Sequence, residues 1–425
     1  MRQLTAAVVN ATVGAGIFVI PALVARDVGA AAPLAFLICG GVMALIVVTI
    51  AMAGSRVEVT GGIYAYAEAA FGPYVALLAG VLQWLSGLLA VSGVSTALLD
   101  QFGVLAPALG SRPARVLVLG AIVATLASVN ARGVRSGSRL IEGVTAVKLV
   151  PLAAFVALGA FAVDGSALHW PGLPAAGPLG RTVLLLIFAY SGVEVAIAPS
   201  GEIRDPARTV PRAVFLALGA TTLLYVAIQL VAQGVLGSQL AGETAAPLAA
   251  AAGRFLGRAG IMLMLAGAVC SMFGYQCGDM LSTPRSLYAL ARDGFMPSVF
   301  ARINPVHHTP SVAIWTHAAL VLLLAATNTF QALAIISNVG LLLLYLLACG
   351  AAIELQRRGV HAGGAPFAPR GAWLGPVLGT ALILWILSTA TLVEASVTAG
   401  VLAVATLAYL VRRNPSSSQS STGLF

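Results

Sequence analysis

Apolar positions run along this chain in stretches of about twenty residues with hardly a charge inside them, the length a helix needs to cross the hydrocarbon of a bilayer. Twelve such stretches follow one another, at 4–25, 33–54, 74–100, 114–130, 141–162, 181–199, 211–235, 257–290, 310–327, 330–353, 372–391 and 393–411. The pattern predicts an all-α polytopic membrane protein with twelve transmembrane helices. The first stretch has no small-residue cleavage site before a polar mature region, so it reads as a retained span and not as a signal peptide.

Two stretches are interrupted. Gly14-Ala15-Gly16-Ile17-Phe18 followed by Pro21 lies inside the first, and Phe188-Ala189-Tyr190-Ser191-Gly192-Val193-Glu194 with Pro199 lies inside the sixth. A helix in lipid must satisfy its own backbone, so a break at membrane depth is tolerated only against protein or a cavity. The amides freed at such a break form a half-helix N-terminus that can receive an anionic group such as a carboxylate. Gly14 to Ile17 therefore reads either as a substrate site or as a place of close helix packing through small residues. Interrupted spans that open successive groups of five are the mark of an inverted-repeat transporter with its site at the midplane. The repeats would be 1–162 (spans one to five) and 181–353 (spans six to ten), with spans eleven and twelve (372–411) outside them.

Between spans two and three, Gly61-Gly62-Ile63-Tyr64-Ala65-Tyr66 is too apolar for a solvated loop and too short to cross. It reads as an interfacial or re-entrant piece with its tyrosines at headgroup depth. The Ser-rich end, 414–425, is expected to be disordered.

Composition adds to this picture. The 425 residues are 59% hydrophobic and 9% charged, too little charge for a soluble domain of this size. The net charge of +9 would fit a nucleic-acid partner, but the basic residues are scattered through short loops. With both termini in the cytoplasm, sixteen arginines fall inside and six outside, and the positive-inside rule accounts for that asymmetry. An inner (cytoplasmic) cell membrane location follows, with lipid as partner and nucleic acid excluded. Cys39, Cys270, Cys277 and Cys349 lack paired or metal-ligand spacing and read as packing residues. No cofactor or metal is expected. HExxH, GxSxG and paired catalytic aspartates are absent, which argues against an intramembrane enzyme, and broken helices in place of filter repeats argue against a channel.

Few residues are left to carry chemistry at membrane depth. Lys148 is the one lysine among 23 basic residues. Unlike arginine it can lose its proton, so it is a candidate for proton exchange; snorkelling to the interface or a fixed ion pair are the other readings. Glu194 is either a strut on freed amides or a proton carrier. Asp279 could meet a substrate amine or cation, or pair with Lys148. His317 reads as a core histidine. The charged connections at 202–211 and 284–305 form a solvated face or ion pairs that close an inward gate.

These residues together resemble the amino acid-polyamine-organocation transporters over nearly the whole chain. The likeness rests on Gly14 to Phe18 with Pro21, on Gly61-Gly62 with Tyr64 and Tyr66, and on Phe188 to Glu194 running on to Glu202, Asp205-Pro206 and Val210-Pro211. It also rests on Ala291-Arg292-Asp293-Gly294 through Pro297, Phe300-Ala301 and Thr309-Pro310. The resemblance implies a five-plus-five inverted repeat with broken helices 1 and 6, and the import or exchange of amino acids or related amines. It would place the substrate carboxylate on the amides around Ala15, Gly16 and Ile17, and the amine at the carbonyls of Phe188, Ala189 and Ser191. Ser86, Gly87, Asp279 and Asn338 would line the side-chain pocket. Phe188 stands where arginine/agmatine exchangers carry a tryptophan, which speaks against that substrate. Lys148 matches the lysine that replaces a sodium ion in proton-coupled members, beside the carbonyls near Gly14 and the hydroxyl of Ser282 or Thr283. The implied activity is proton-coupled amino acid transport by alternating access, with exchange, or carriage of a cationic amine on Asp279, as the alternative.

Overall fold

The computed structural model of the chain describes residues 2–57, 61–133, 137–169, 172–193, 206–361, 366–368 and 371–413. Among them lie fourteen α-helices and no strand. The expected tail at 414–425, the acid Glu194 and the charged positions 202–205 fall outside the described residues.

The first expected span is two helices, α1 (Arg2–Thr12) and α2 (Gly16–Val28), separated by Val13 to Ala15. A turn at Gly29, whose φ of +55° suits a residue without Cβ, leads into α3 (Ala32–Gly54). The connection after α3 holds a short helix, α4 (Ile63–Phe71), joined through Gly72 at φ +85° to α5 (Pro73–Leu105), which opens on a proline where no amide partner is needed. Tyr66 on α4 is 3% exposed and packs in the core, so this piece turns one of its two tyrosines toward the protein.

α6 (Arg112–Ala131), α7 (Gly137–Gly159), α8 (Ala176–Tyr190) and α9 (Pro206–Leu236) follow. α10 (Pro247–Arg292) begins ten residues before its expected span, because Pro247 starts a helix that kinks at Gly257 (φ +58°) and then continues. α11 (Ser311–Thr327), α12 (Phe330–Arg357), α13 (Leu374–Leu387) and α14 (Leu392–Arg413) complete the chain.

Seven helical stretches of the described chain are long and apolar enough to cross a membrane, accompanied by shorter apolar helices that include α8, α11 and α13. The packing fits that environment. Side chains such as Phe161 and Leu407 stay exposed on the outside, where lipid and not water is the favourable neighbour. Hydroxyls inside the helices turn back onto their own backbone: Ser92 Oγ donates to the Leu88 carbonyl at 2.6 Å and Thr49 Oγ1 to that of Leu45 at 2.9 Å. The chain is a polytopic membrane protein.

α5 and α12 are the most enclosed helices and pack on each other, while α14 buries little of its length. α2, α3 and α8 lie together, α9 packs on α1 and α3, and α10 packs on α5 and α7. The broken helices are thereby held in the centre.

Candidate functional site

Both interruptions come to the same place. α1 stops at Thr12, and the amides of Ala15, Gly16 and Ile17 have no hydrogen-bond acceptor among the described residues. α8 stops at Tyr190; Ser191 is extended (φ −63°, ψ 151°) and Gly192 turns at φ +102°. A Cβ at Gly192 would lie 2.7 Å from the Ala11 carbonyl oxygen, and one at Gly16 would lie 3.1 Å from the Cα of Ala189. Only glycine allows the two chains to cross so closely. Tyr225 on α9, fully buried, places its hydroxyl 3.0 Å from both the Thr12 and the Ala189 carbonyl oxygens. One O–H is thus shared between the ends of α1 and α8.

Lys148, 8% exposed on α7, reaches across to α1 and donates from Nζ to the Asn10 carbonyl at 2.6 Å. In an unbroken helix that carbonyl would accept the amide of residue 14, so the break supplies the acceptor that the ammonium uses. Asp279 is not the lysine's partner. Its Oδ1 accepts from Thr283 Oγ1 at 2.6 Å and its Oδ2 from Nε2 of the fully buried His317 at 2.9 Å. Ser282 donates to the Gly278 carbonyl at 3.0 Å.

A cavity of about 770 Å³ joins these groups. Of the residues expected at the site, Gly14, Ser86, Gly87, Lys148, Ser191, Asp279, Ser282 and Thr283 line it. Ala15, Gly16, Ile17, Phe188, Ala189 and Asn338 do not. Asn338 turns onto α8, donating to the Leu184 and Leu185 carbonyls at 2.7 and 3.2 Å, while its neighbour Ser337 lines the cavity and donates to the Ser86 carbonyl at 2.8 Å. Phe188 meets Phe330 edge to face at 5.3 Å. The carbonyls of Phe188 and Ala189 already accept from Ser191 Oγ (2.9 Å) and Tyr225. The cavity continues past Asn10, Gly61, Gly62, Tyr66 and Ser286.

Asn10, Gln83, Ser271 and Ser337 were not foreseen. The spacing of Ser271, Gly274, Gly278 and Ser282, three or four apart along α10, is a sequence sign of a small-residue face that borders the cavity. Tyr225 left no sign of its own. Among the described residues no cluster of three or more His, Cys, Asp or Glu could hold a metal ion.

Comparison with known proteins follows this geometry. The model of the amino acid permease family matches residues 1–413. The chain belongs to the amino acid permease family. The permease is 32% identical over 417 residues to an uncharacterized transporter of Mycobacterium tuberculosis, covering 94% of this chain and 88% of that one. It is 25% identical over 406 residues to a methylthioribose transporter of Bacillus subtilis (91% and 86% covered). It is 26% identical over 378 residues to the branched-chain amino acid permease BcaP of the same organism (84% and 80% covered). The permease is therefore a membrane transporter by family, not an enzyme.

What the arrangement can do follows from its charges. Among the described lining residues, Lys148 is the one cation and Asp279 the one carboxylate, Asn10 and Gln83 bring carboxamides, and the rest are small, hydroxylic or apolar. The free amides at the start of α2 lie behind Gly14, off the cavity wall. Such a cavity complements a small zwitterion and is large enough to enclose one.

Proposed function

We propose that the permease is a secondary active transporter that imports amino acids by alternating access, with proton coupling through Lys148. The observation that supports this most strongly is the meeting of two interrupted helices on one cavity beside the chain's single lysine, whose ammonium rests on a carbonyl freed by the first break. The substrate carboxylate would take the amides of Ala15, Gly16 and Ile17, reached past Gly14. Loss of the proton from Lys148 would release the Asn10 carbonyl and shift the balance between two packings of α1 against α7, and a differential of that kind is what coupling requires. Ser282 and Thr283 stand near as hydroxyl partners, and Glu194 is a further proton-carrying candidate.

The same reading takes spans one to five and six to ten as inverted repeats, twelve spans in all, with both termini in the cytoplasm. The cavity would then face inward past Gly61, Gly62 and Ser286, and the Phe188–Phe330 contact would close the outer end beneath the Arg26–Gln331 hydrogen bond (3.0 Å).

The test is uptake of a panel of labelled amino acids and amines into proteoliposomes, with and without an inward proton gradient, for the natural protein and for Lys148→Ala. Gradient-driven accumulation in the natural protein alone is expected. Uptake that ignores the gradient and needs internal substrate in both proteins would instead make the permease an exchanger and Lys148 structural.

A further inference from the structure

Among the described residues the cavity holds one carboxylate, and its surroundings are specific. Asp279 is nearly enclosed, with a side chain 5% exposed, yet no cation among the described residues pairs with it. Its two protein partners are neutral donors on one side: Thr283, one turn further along α10, and His317 from α11. His317 Nδ1 is buried and has no partner among the described residues. With its proton on Nε2 facing Asp279, a neutral imidazole leaves the pair the charge of the carboxylate alone.

A carboxylate oxygen accepts about two hydrogen bonds, and each oxygen of Asp279 receives one from the protein. The remaining capacity lies where Asp279 borders the cavity. Two further features point to a ligand there. Ser86 Oγ is buried at the cavity wall with no partner among the described residues. Gly87, next to Ser86, keeps the approach clear: a Cβ there would lie 2.9 Å from Thr283 Oγ1 and 3.6 Å from Asp279 Oδ1. An enclosed anion with spare acceptors is costly unless something positive arrives. Meanwhile the carbonyls of Phe188 and Ala189, which a substrate amine could otherwise seek, have donors already and stand off the cavity wall.

We propose that Asp279 is the counter-ion for a protonated nitrogen of the substrate, and that His317 is a positioning residue that fixes the carboxylate for it. This rests on the transport reading of the same cavity and names the group that the substrate must carry. The nitrogen is either the α-ammonium of an amino acid or a side-chain ammonium, and the chemistry at Asp279 is the same for both.

Binding of L-norleucine, L-lysine, L-serine and cadaverine to the purified full-length protein in lipid nanodiscs separates these cases. Asp279→Asn, which keeps size and loses charge, is expected to weaken binding about 30-fold or more. A loss shared by norleucine, serine and lysine assigns the α-ammonium; a loss confined to lysine and cadaverine assigns the side-chain nitrogen. Equal affinities in the natural protein and the variant, or binding of none of the four by the natural protein, overturns the proposal. Amino acid uptake that is unaffected by Asp279→Asn leaves the transport reading standing while this one falls, and absence of any amino acid uptake removes the transport reading itself. His317→Leu and His317→Gln carry the test where Asp279→Asn does not fold. His317→Leu is expected to raise KM with little change in maximal rate, and His317→Gln, which keeps an N–H donor, to restore it; an unchanged KM in His317→Leu overturns the positioning role.

Discussion

Gly192→Ala is the most exacting test of the crossing between the two broken helices. The residue sits at φ +102°, a conformation that costs a residue with a Cβ about 1–2 kcal/mol. The new methyl would also stand 2.7 Å from the Ala11 carbonyl oxygen and 3.1 Å from its carbon, both backbone atoms that cannot rotate away. Relieving that contact means moving the end of α1 away from α8, which stretches the Tyr225 bonds and shifts the Asn10 carbonyl that holds Lys148. Overpacking of this kind adds about 1–3 kcal/mol. The total of about 2–5 kcal/mol corresponds to a loss of roughly 30-fold to several thousand-fold in the population of the native crossing. The assay compares substrate affinity and the thermal midpoint of the purified protein with those of Gly41→Ala, a helical glycine in α3 where an added methyl would meet no heavy atom within 4 Å. The control should be neutral. If Gly192→Ala behaves like Gly41→Ala in both measurements, the two breaks do not depend on each other as described.

Other outcomes follow from the same packing. Tyr225→Phe removes the one hydroxyl shared by Thr12 and Ala189 and should cost about 1–3 kcal/mol, read as a lower unfolding midpoint with weaker substrate binding; unchanged values would deny the hydroxyl its role. Arg181 on α8 makes a two-armed ion pair with Glu394 on α14, both bonds at 2.5 Å, so Arg181→Ala should destabilise the fold more than Arg181→Ala paired with Glu394→Ala, as measured by a double-mutant cycle in detergent. Gly87→Ala should push Thr283 off Asp279 and weaken binding of amine-bearing ligands about tenfold while leaving protein yield intact, measured by equilibrium binding.

Much of this architecture could be read from the residues. Helix positions followed from runs of apolar side chains because, in lipid, length and the absence of charge are nearly the whole requirement. The breaks followed from Gly16 and Gly192, since a backbone that crosses another at contact distance leaves its trace in residues that lack a side chain. What stayed hidden was pairing across distant segments. Nothing in the sequence joins His317 to Asp279, 38 positions apart, or Tyr225 to Thr12, 213 apart. The family resemblance put Asn338 in the side-chain pocket, whereas its amide serves the backbone of α8. Polarity at depth marks a need for a partner and does not say whether the partner is a ligand or the protein. The inward face of Tyr66 left no sign either, since a tyrosine beside a loop fits an interface and a cavity wall equally well.

The hydroxyl of Tyr225 has a mechanical consequence. Because one hydroxyl on α9 bonds the ends of both α1 and α8, a displacement of α9 would reach both breaks at once. α9 in turn shows Phe215 and Leu223 to the surroundings of the protein, along a shallow groove that it shares with Gly40 and Ala44 of α3. The outer face of the bundle and its two innermost breaks are therefore joined by a single helix.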